Sequence, residues 1–261
     1  MQTAAIAFGG QEPTIAETES YNGTSWSEVN ELNSGRTYVA GSGTQAAALG
    51  ICGSPSPHAD KVESWNGTSW TETTEVNTGG AAGNTACGTQ TAALVTMRIS
   101  GPLAYTELWD GSSWTETADM NTARESGGVA GISTSTIVGG GATVANAESW
   151  DGTSWTEVAD LNTARQSLGS SGGSNTASII FAGNQPGGTG GATTAPNTES
   201  WNGSSWTEVG DLGNQRYGGS SSRSGGTSVS AHAAGGYSGT AYTGITEEWE
   251  VPGVTKTLTV S

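Results

Sequence analysis

The sequence is short of positive charge, of long apolar runs and of cysteine, and each shortage excludes a class of protein. It contains 8 Lys and Arg residues against 24 Asp and Glu residues, which gives a net charge of −16. Nucleic acids and anionic membranes attract Lys and Arg, so neither is an expected partner. No segment reaches the roughly 18 apolar residues of a membrane-spanning helix, and the N-terminus shows no secretory signal. We therefore expect no membrane insertion.

Cys52 and Cys87 are the only cysteines, too few for a disulfide framework, and their spacing matches no metal-binding motif. We interpret them as small, half-buried side chains, with one bridge between neighbouring strands as the alternative. The 42 glycines, with abundant Ser and Thr, disfavour long helices. The 10 tryptophans argue against disorder, because disordered segments are poor in aromatic residues. The composition therefore favours an acidic, all-β chain.

A ten-residue motif recurs along the whole chain. Its clearest copy, residues 63–72, reads Glu-Ser-Trp-Asn-Gly-Thr-Ser-Trp-Thr-Glu. The copies lie 41 to 51 residues apart, a period typical of β-propeller blades, each of which is a four-stranded sheet. Five copies are nearly intact and a sixth is partial; their first aromatic residues are Tyr21, Trp65, Trp109, Trp150, Trp201 and Trp249.

One period, residues 124–159, divides into four strands that we call a, b, c and d. They cover 124–130, 134–138, 147–150 and 153–158, and Asp151-Gly152 joins strands c and d. Asn-Gly or Asp-Gly between strands is typical of a two-residue type I′ turn. Such a turn would place Trp65 and Trp70 diagonally on one face of the sheet. We expect these tryptophans to pack in the core, with a sugar-stacking platform as the alternative.

Three of these turns also match the N-glycosylation sequon, at Asn22, Asn66 and Asn202. The equivalent residues Asp110 and Asp151 would keep the turn and destroy the sequon. A turn therefore explains all five positions, whereas glycosylation explains three.

Charged residues recur in register as well. Glu63, Glu72 and Glu75 each belong to a series with one acid per repeat, and the Arg series has Gly80 in one copy. The third acid and the Arg flank the connection between strand d and the next strand a, and we expect them to pair across it. A charge that recurs in every blade is typical of a scaffold. The Arg series is Arg36, Arg124, Arg165 and Arg216.

This pattern resembles the kelch-type β-propeller. Kelch repeats have a glycine pair after strand b, an aromatic residue in strand c, a Trp at the start of strand d and often an Arg before the next strand a. Here the glycine pairs are Gly9-Gly10, Gly139-Gly140 and Gly235-Gly236, and three copies lack them. The resemblance implies an all-β, six-bladed, kelch-like β-propeller with four-stranded antiparallel blades, in which blade 1 lacks its own inner strand.

The whole chain, residues 1–261, is expected to form this one domain. The tail, residues 254–260, would form either the outer strand of blade 6 or the inner strand of blade 1. The repeats are also similar to kelch-like repeat proteins of phage tails and marine bacteria, which implies surface recognition or particle building. The expected blades cover approximately residues 1–32, 33–76, 77–120, 121–161, 162–212 and 213–261.

The sequence offers little for catalysis and more for binding. His58 and His232 fall in different repeats, and no glycine-rich loop precedes a helix, so we expect no enzyme activity. The loops between strands b and c differ from blade to blade, and variable loops on one face of a rigid scaffold are typical of recognition. The candidate ligand-binding residues on that face are His58, Asp60, Arg98, Asn184, Gln185, Tyr237 and Tyr242.

These observations favour a non-catalytic recognition or adhesion module for cell-surface carbohydrate, and the resemblance implies a phage-tail or other particle-associated setting. One alternative is a structural virion protein that makes protein–protein contacts, and a second is a propeller glycoside hydrolase. The expected partners are a surface glycan or a protein, for a chain that is a monomer or part of a larger particle. No cofactor is expected; Ca²⁺ held by loop carboxylates is the one alternative.

Overall fold

The computed structural model describes residues 4–10, 14–56, 58–80, 85–99, 102–142, 144–185, 193–218, 220–221, 227–250 and 256–258. Within these ranges, the side chains of residues 98–99, 102–103, 220–221 and 256–258 lie outside the description. The described part of the chain holds no helix with the length and apolar character needed to cross a membrane. Its regular structure consists of β-strands.

The first fifteen strands are β1 (Ala5–Gly10), β2 (Ile15–Tyr21), β3 (Trp26–Val29), β4 (Ala40–Thr44), β5 (Ala47–Ile51), β6 (Val62–Trp65), β7 (Trp70–Thr73), β8 (Thr85–Gly88), β9 (Ala93–Ile99), β10 (Pro102–Trp109), β11 (Trp114–Glu116), β12 (Gly128–Ile132), β13 (Ser135–Gly139), β14 (Ala147–Trp150) and β15 (Trp155–Val158). The remaining strands are β16 (Gly169–Ser174), β17 (Ala177–Phe181), β18 (Asn184–Gln185), β19 (Thr193–Thr194), β20 (Thr198–Trp201), β21 (Trp206–Glu208), β22 (Ser220–Ser221), β23 (Ser230–Ala234), β24 (Thr246–Glu250) and β25 (Lys256–Leu258).

Five sheets have four antiparallel strands each, and we name them blades I to V in chain order. Blade I is β4-β5-β6-β7, blade II is β8-β9-β10-β11, blade III is β12-β13-β14-β15, blade IV is β16-β17-β20-β21 and blade V is β22-β23-β24-β25. The first sheet, which we call the N-sheet, has three strands in the order β1-β2-β3. The expected count of six blades is therefore wrong, because the structure has five four-stranded blades; the expected lack of an inner strand in the first sheet is confirmed among the described residues. The physical reason is that, among the described residues, no strand lies beside β1 where the other sheets have their inner strand.

The sheets are arranged in a ring around their inner strands. Strands β4, β8, β12, β16 and β22 contact one another in chain order. Phe8 of the N-sheet packs edge-on against Trp70 of blade I, with 4.7 Å between ring centroids. On the other side, Tyr21 of the N-sheet lies near Glu248 of blade V: burial raises the pKa of Tyr21, and the charge of Glu248 raises it further. The N-sheet therefore lies between blades V and I.

The tryptophans pack in the core between neighbouring sheets, as the sequence predicts. Trp65 and Trp70 are 2% and 5% exposed. The pairs on the later blades are similarly buried, whereas Trp26 of the N-sheet is partly exposed. Because each pair lies against the preceding sheet, the core is a series of clusters that runs around the ring.

The turn between strands c and d is longer than expected. Trp65 pairs directly with Trp70, so four residues connect β6 and β7, and the two ring centroids are 5.3 Å apart. Asn66 explains the extra length, because its Oδ1 accepts the N–H groups of Thr68 and Ser69, both at 2.9 Å. The predicted two-residue turn with a diagonal tryptophan pair is therefore wrong. The same side-chain bonds recur at the four equivalent residues, Asn22, Asp110, Asp151 and Asn202, so the interpretation of these positions as turns is confirmed.

Two smaller expectations concern the tail and the cysteines. Residues 256–258 pair with β24 as the outer strand of blade V, which is the first of the two positions proposed for the tail. Cys52 and Cys87 are both buried, and neither takes part in a disulfide. Burial raises the pKa of Cys87 to about 12, so its thiol stays protonated at neutral pH.

Candidate functional site

Buried Arg–Glu pairs join neighbouring chain segments on the face of the ring that carries the variable loops. Arg124 lies in the connection before blade III, and its Nη2 is 2.9 Å from Oε1 of Glu148 in β14. Both side chains are fully buried, and burial lowers the pKa of Arg124 while the charge of Glu148 opposes that change. Asn121 donates its backbone N–H and its Nδ2–H to the same carboxylate, at 2.7 and 3.0 Å. The equivalent pairs are Arg36–Glu63, Arg165–Glu199 and Arg216–Glu247.

These contacts correct one expectation from the sequence. Arg36 was expected to pair with Glu31, the acid five residues before it. Instead it reaches Glu63 in strand c of the following blade, 2.7 Å away. Its Nη1 also donates to the carbonyl groups of Cys52 and Lys61, at the two ends of the loop between strands b and c. Arg36 therefore joins the connection before the blade to strand c and to both ends of the loop between strands b and c.

Two residues after each of these arginines, the chain adopts a positive φ. Ser126 and Ser167 have φ of 57° and 55°, and the Ser167 N–H donates to the Ser126 carbonyl at 2.7 Å. Gly218 continues this arrangement, since its N–H donates to the Ser167 carbonyl at 3.2 Å. The same position before blade I is Tyr38, with φ of 56° and a side chain that is 54% exposed. A bulky residue in this conformation is unusual.

The variable loops of blades IV and V meet on this face. In blade IV, β18 and β19 form a small hairpin, and the Thr194 hydroxyl donates to the Ser238 carbonyl of blade V at 3.3 Å. Next to this contact, Tyr237 packs edge-on against both Tyr217 and Tyr242, with centroid distances of 5.5 and 5.2 Å. We call Tyr217, Tyr237 and Tyr242 the tyrosine patch. Tyr242 is 60% exposed, so the patch offers ring surface to solvent.

Asn184 lies at the base of the blade IV hairpin. Its backbone N–H and carbonyl pair with Gln166 at 2.8 and 3.0 Å, which fixes its position. The side chain is only 6% exposed, yet its buried Oδ1 has no hydrogen-bond partner. A buried acceptor without a partner is uncommon and calls for a ligand, a water molecule or another explanation. Gln185, its neighbour, donates from Nε2 to Oδ1 of Asn197 at 3.2 Å.

The structure thus brings four of the seven predicted binding residues into two adjoining loops: Asn184, Gln185, Tyr237 and Tyr242. Their hairpin and loop are joined by the Thr194–Ser238 contact. Tyr217 was not predicted, although its position one residue after Arg216 marks it as part of the variable rim. Tyr38 was also missed, and its signal is its position two residues after Arg36.

The remaining predicted residues lie in other blades. His58 and Asp60 belong to the loop of blade I, where the Asp60 carbonyl accepts the N–H of Val76 at 3.1 Å. His58 turns the loop, because its N–H donates to the Pro55 carbonyl at 3.1 Å. Arg98 lies in β9, and its side chain is outside the described residues. No described contact links these three residues to the tyrosine patch.

The ionisable groups near blades IV and V are mostly buried. His232 in β23 lines a small cavity between the two blades, together with Phe181, Glu247 and Trp249. Burial lowers the pKa of His232 to about 4, so the imidazole is neutral at pH 7. Among the described residues, no group of three or more His, Cys, Asp and Glu side chains is arranged to hold a metal ion. The accessible chemistry of the patch is therefore ring stacking, since the Tyr242 ring is exposed.

The comparisons with known proteins concern the fold alone. No protein-family model matches the chain, and no curated protein is significantly similar to it in sequence. A solved structure described as "Structure of YjhT" is similar, with a TM-score of 0.79 over 99% of this chain and 95% of that chain. The chain is a β-propeller. The two sequences are 13% identical, so this similarity does not extend to function.

Proposed function

We propose that this β-propeller is a recognition module that binds carbohydrate on a cell surface, through the loops of blades IV and V. The observation that carries the proposal is the exposed tyrosine patch beside the unpartnered Oδ1 of Asn184. Tyrosine rings offer rigid, amphipathic surface at low cost in conformational entropy. Sugar rings present apolar C–H faces, which suit stacking on an exposed aromatic surface.

The position of the patch supports the same proposal. It lies on loops of two neighbouring blades, and the buried Arg165–Glu199 and Arg216–Glu247 pairs hold the bases of those loops. Binding sites are commonly built from variable loops on a rigid scaffold. The proposed module has no catalytic role, and a particle-borne or adhesive setting fits the kelch-like repeat pattern.

The test is binding of the purified chain to a broad glycan array, with the variants Tyr242→Ala and Tyr105→Ala in parallel. Tyr105 is the matched control, because it is a partly exposed tyrosine (39%) of blade II, away from the patch. We expect a reproducible glycan signal that Tyr242→Ala abolishes and Tyr105→Ala retains. A blank array, or equal loss with both variants, would contradict the proposal.

Two further arms separate the alternatives. A chelator added to the array distinguishes direct binding, which it leaves intact, from a site bridged by Ca²⁺, which it abolishes. Incubation of the bound glycan with the chain, followed by mass spectrometry, tests for hydrolysis. Release of shorter products would contradict the non-catalytic role and support the hydrolase alternative.

A further inference from the structure

The N-sheet has an open edge at its inner strand. Among the described residues, β1 pairs only with β2. In every blade, by contrast, the corresponding strand b lies between an inner strand and strand c, as β5 lies between β4 and β6. Strand β1 therefore presents one row of backbone N–H and C=O groups without a neighbouring strand, which is the arrangement that allows another strand to add.

Side-chain burial shows the same gap. The pairings of Ala5 with Tyr21 and of Ala48 with Trp65 place Ile6 in register with Leu49 and Phe8 with Ile51. Leu49 and Ile51 are 1% and 0% exposed, whereas Ile6 and Phe8 are partly exposed. The apolar side chains of β1 thus lack the cover that an inner strand gives their counterparts.

Contacts with blade I nevertheless hold β1 in position. The Phe8 ring packs against Trp70 at 4.7 Å, and a Cβ on Gly41 of β4 would come within 3.2 Å of the Phe8 ring. The Gly10 N–H donates to the Arg36 carbonyl at 2.9 Å, which ties the end of β1 to the connection before blade I. A docking strand would therefore meet a preformed edge.

We propose that this edge binds an extended segment of another polypeptide, rich in Gly, Ala and Ser, as an antiparallel strand beside β1. The five blades supply the template, because each inner strand runs antiparallel to its strand b. Those inner strands consist mostly of small residues, such as Ala-Gly-Ser-Gly-Thr in β4. A strand that takes the inner position of the N-sheet should therefore carry small side chains, as the inner strands of the blades do. Addition of a strand to an open edge is a common mode of peptide recognition.

The template also specifies one residue of the partner. Gly43 of β4 lies opposite Ala48 with φ of 110°, and a Cβ on it would lie 2.3 Å from the Ala47 carbonyl oxygen. Gly131 of β12 repeats this geometry, with φ of 128° and a distance of 2.1 Å from the Ser135 carbonyl oxygen. Because Ala5 is the counterpart of Ala48, the partner needs a glycine opposite Ala5.

The test uses the full chain and two synthetic peptides. The first peptide copies residues 37–45 of this sequence, and the second carries the change Gly43→Ala. We expect the first to bind, measured by fluorescence polarisation, and the second to bind at least about tenfold more weakly, equal to about 1.4 kcal/mol. Hydrogen exchange should show that the first peptide slows exchange of the amides of residues 5–8.

A variant of the protein supplies the complementary arm. Ile6→Lys places a charge at the edge, a change that natural proteins use to block strand addition, and it should abolish peptide binding. Equal binding of the two peptides, or binding without protection of β1, would overturn the proposal. A dimer that forms through β1 and that the peptide does not displace would also overturn it, since the occupant would then be a second copy of this chain.

Discussion

The indole of Trp206 offers a stability test in which one hydroxyl group is the variable. On two other blades, the strand-d tryptophan donates its Nε1–H to a threonine of the preceding sheet: Trp70 to Thr18 at 3.1 Å and Trp155 to Thr106 at 3.0 Å. The residue in that position before Trp206 is Ala147. Its side chain cannot accept a hydrogen bond, and Nε1 of Trp206 is buried without a partner.

We therefore expect Ala147→Thr to stabilise the protein relative to Ala147→Val. Both substitutions add two heavy atoms at a site that is 1% exposed, so any strain from overpacking is shared and only the hydroxyl differs. A new hydrogen bond contributes about 1 kcal/mol, and satisfying a buried donor raises the benefit toward about 2 kcal/mol. At about 2–4 °C per kcal/mol for a chain of this size, the threonine variant should melt about 2–8 °C above the valine variant.

Differential scanning calorimetry of the three proteins measures this difference. Two further variants, Trp206→Phe in the Ala147→Thr background and in the Ala147→Val background, complete the cycle, because loss of the donor should cancel the advantage of threonine over valine. Equal melting temperatures for the threonine and valine variants would refute the reasoning. They would show that Trp206 already has a partner such as a water molecule.

Three further predictions follow from burial and backbone geometry. Arg124→Met leaves Glu148 charged and buried, and it should lower the free energy of unfolding, measured by urea titration, by about 3–5 kcal/mol. Lys61→Met breaks an exposed pair with Glu75 and should change the free energy of unfolding little. Equal losses for the two variants would contradict this ranking. The pKa of His232 is lowered from 6.5 to about 4, so on acidification the unfolded chain binds a proton before the folded chain does. The free energy of unfolding should therefore fall as the pH drops from 6.5 toward 4, by about 1.4 kcal/mol per pH unit. His232→Gln should remove this contribution to the pH dependence, and an unchanged pH dependence would contradict the reasoning. Tyr38→Gly should relieve the strain of a positive φ and stabilise the chain by up to about 1 kcal/mol, whereas a loss of stability would show that the exposed ring makes a contact that matters.

Much of the fold follows from the sequence because the repeat is visible residue by residue. The spacing of Trp65 and Trp70 and the Asn66-Gly67 pair between them predict strands c and d, and the burial of both rings agrees. The length of the turn does not follow, because it depends on the Asn66 Oδ1, which accepts hydrogen bonds from the N–H groups of Thr68 and Ser69. The number of blades was also wrong, since six strand-c motifs were counted as six blades and the structure has five, although the sequence did indicate that the first sheet lacks its own inner strand.

The site was partly predictable. Loop variability was enough to select Tyr237 and Asn184, but no sequence pattern indicates that the blade IV hairpin contacts the blade V loop. The sequence also did not show that Arg36 pairs with Glu63 and not with Glu31. The repeat positions of the two acids do not reveal which of them faces the connection between strand d and the next strand a. Tyr38 and Tyr217 would have been found by comparing the residues that follow each arginine of the series.

The most direct test of the recognition site is hydrogen exchange of the chain with and without the glycan that binds best on the array. The account predicts slower exchange at residues 183–185 and 236–243, with no change at residues 54–60 of blade I. Protection confined to blade I, or to the turns between strands c and d, would contradict the assignment of the site to blades IV and V.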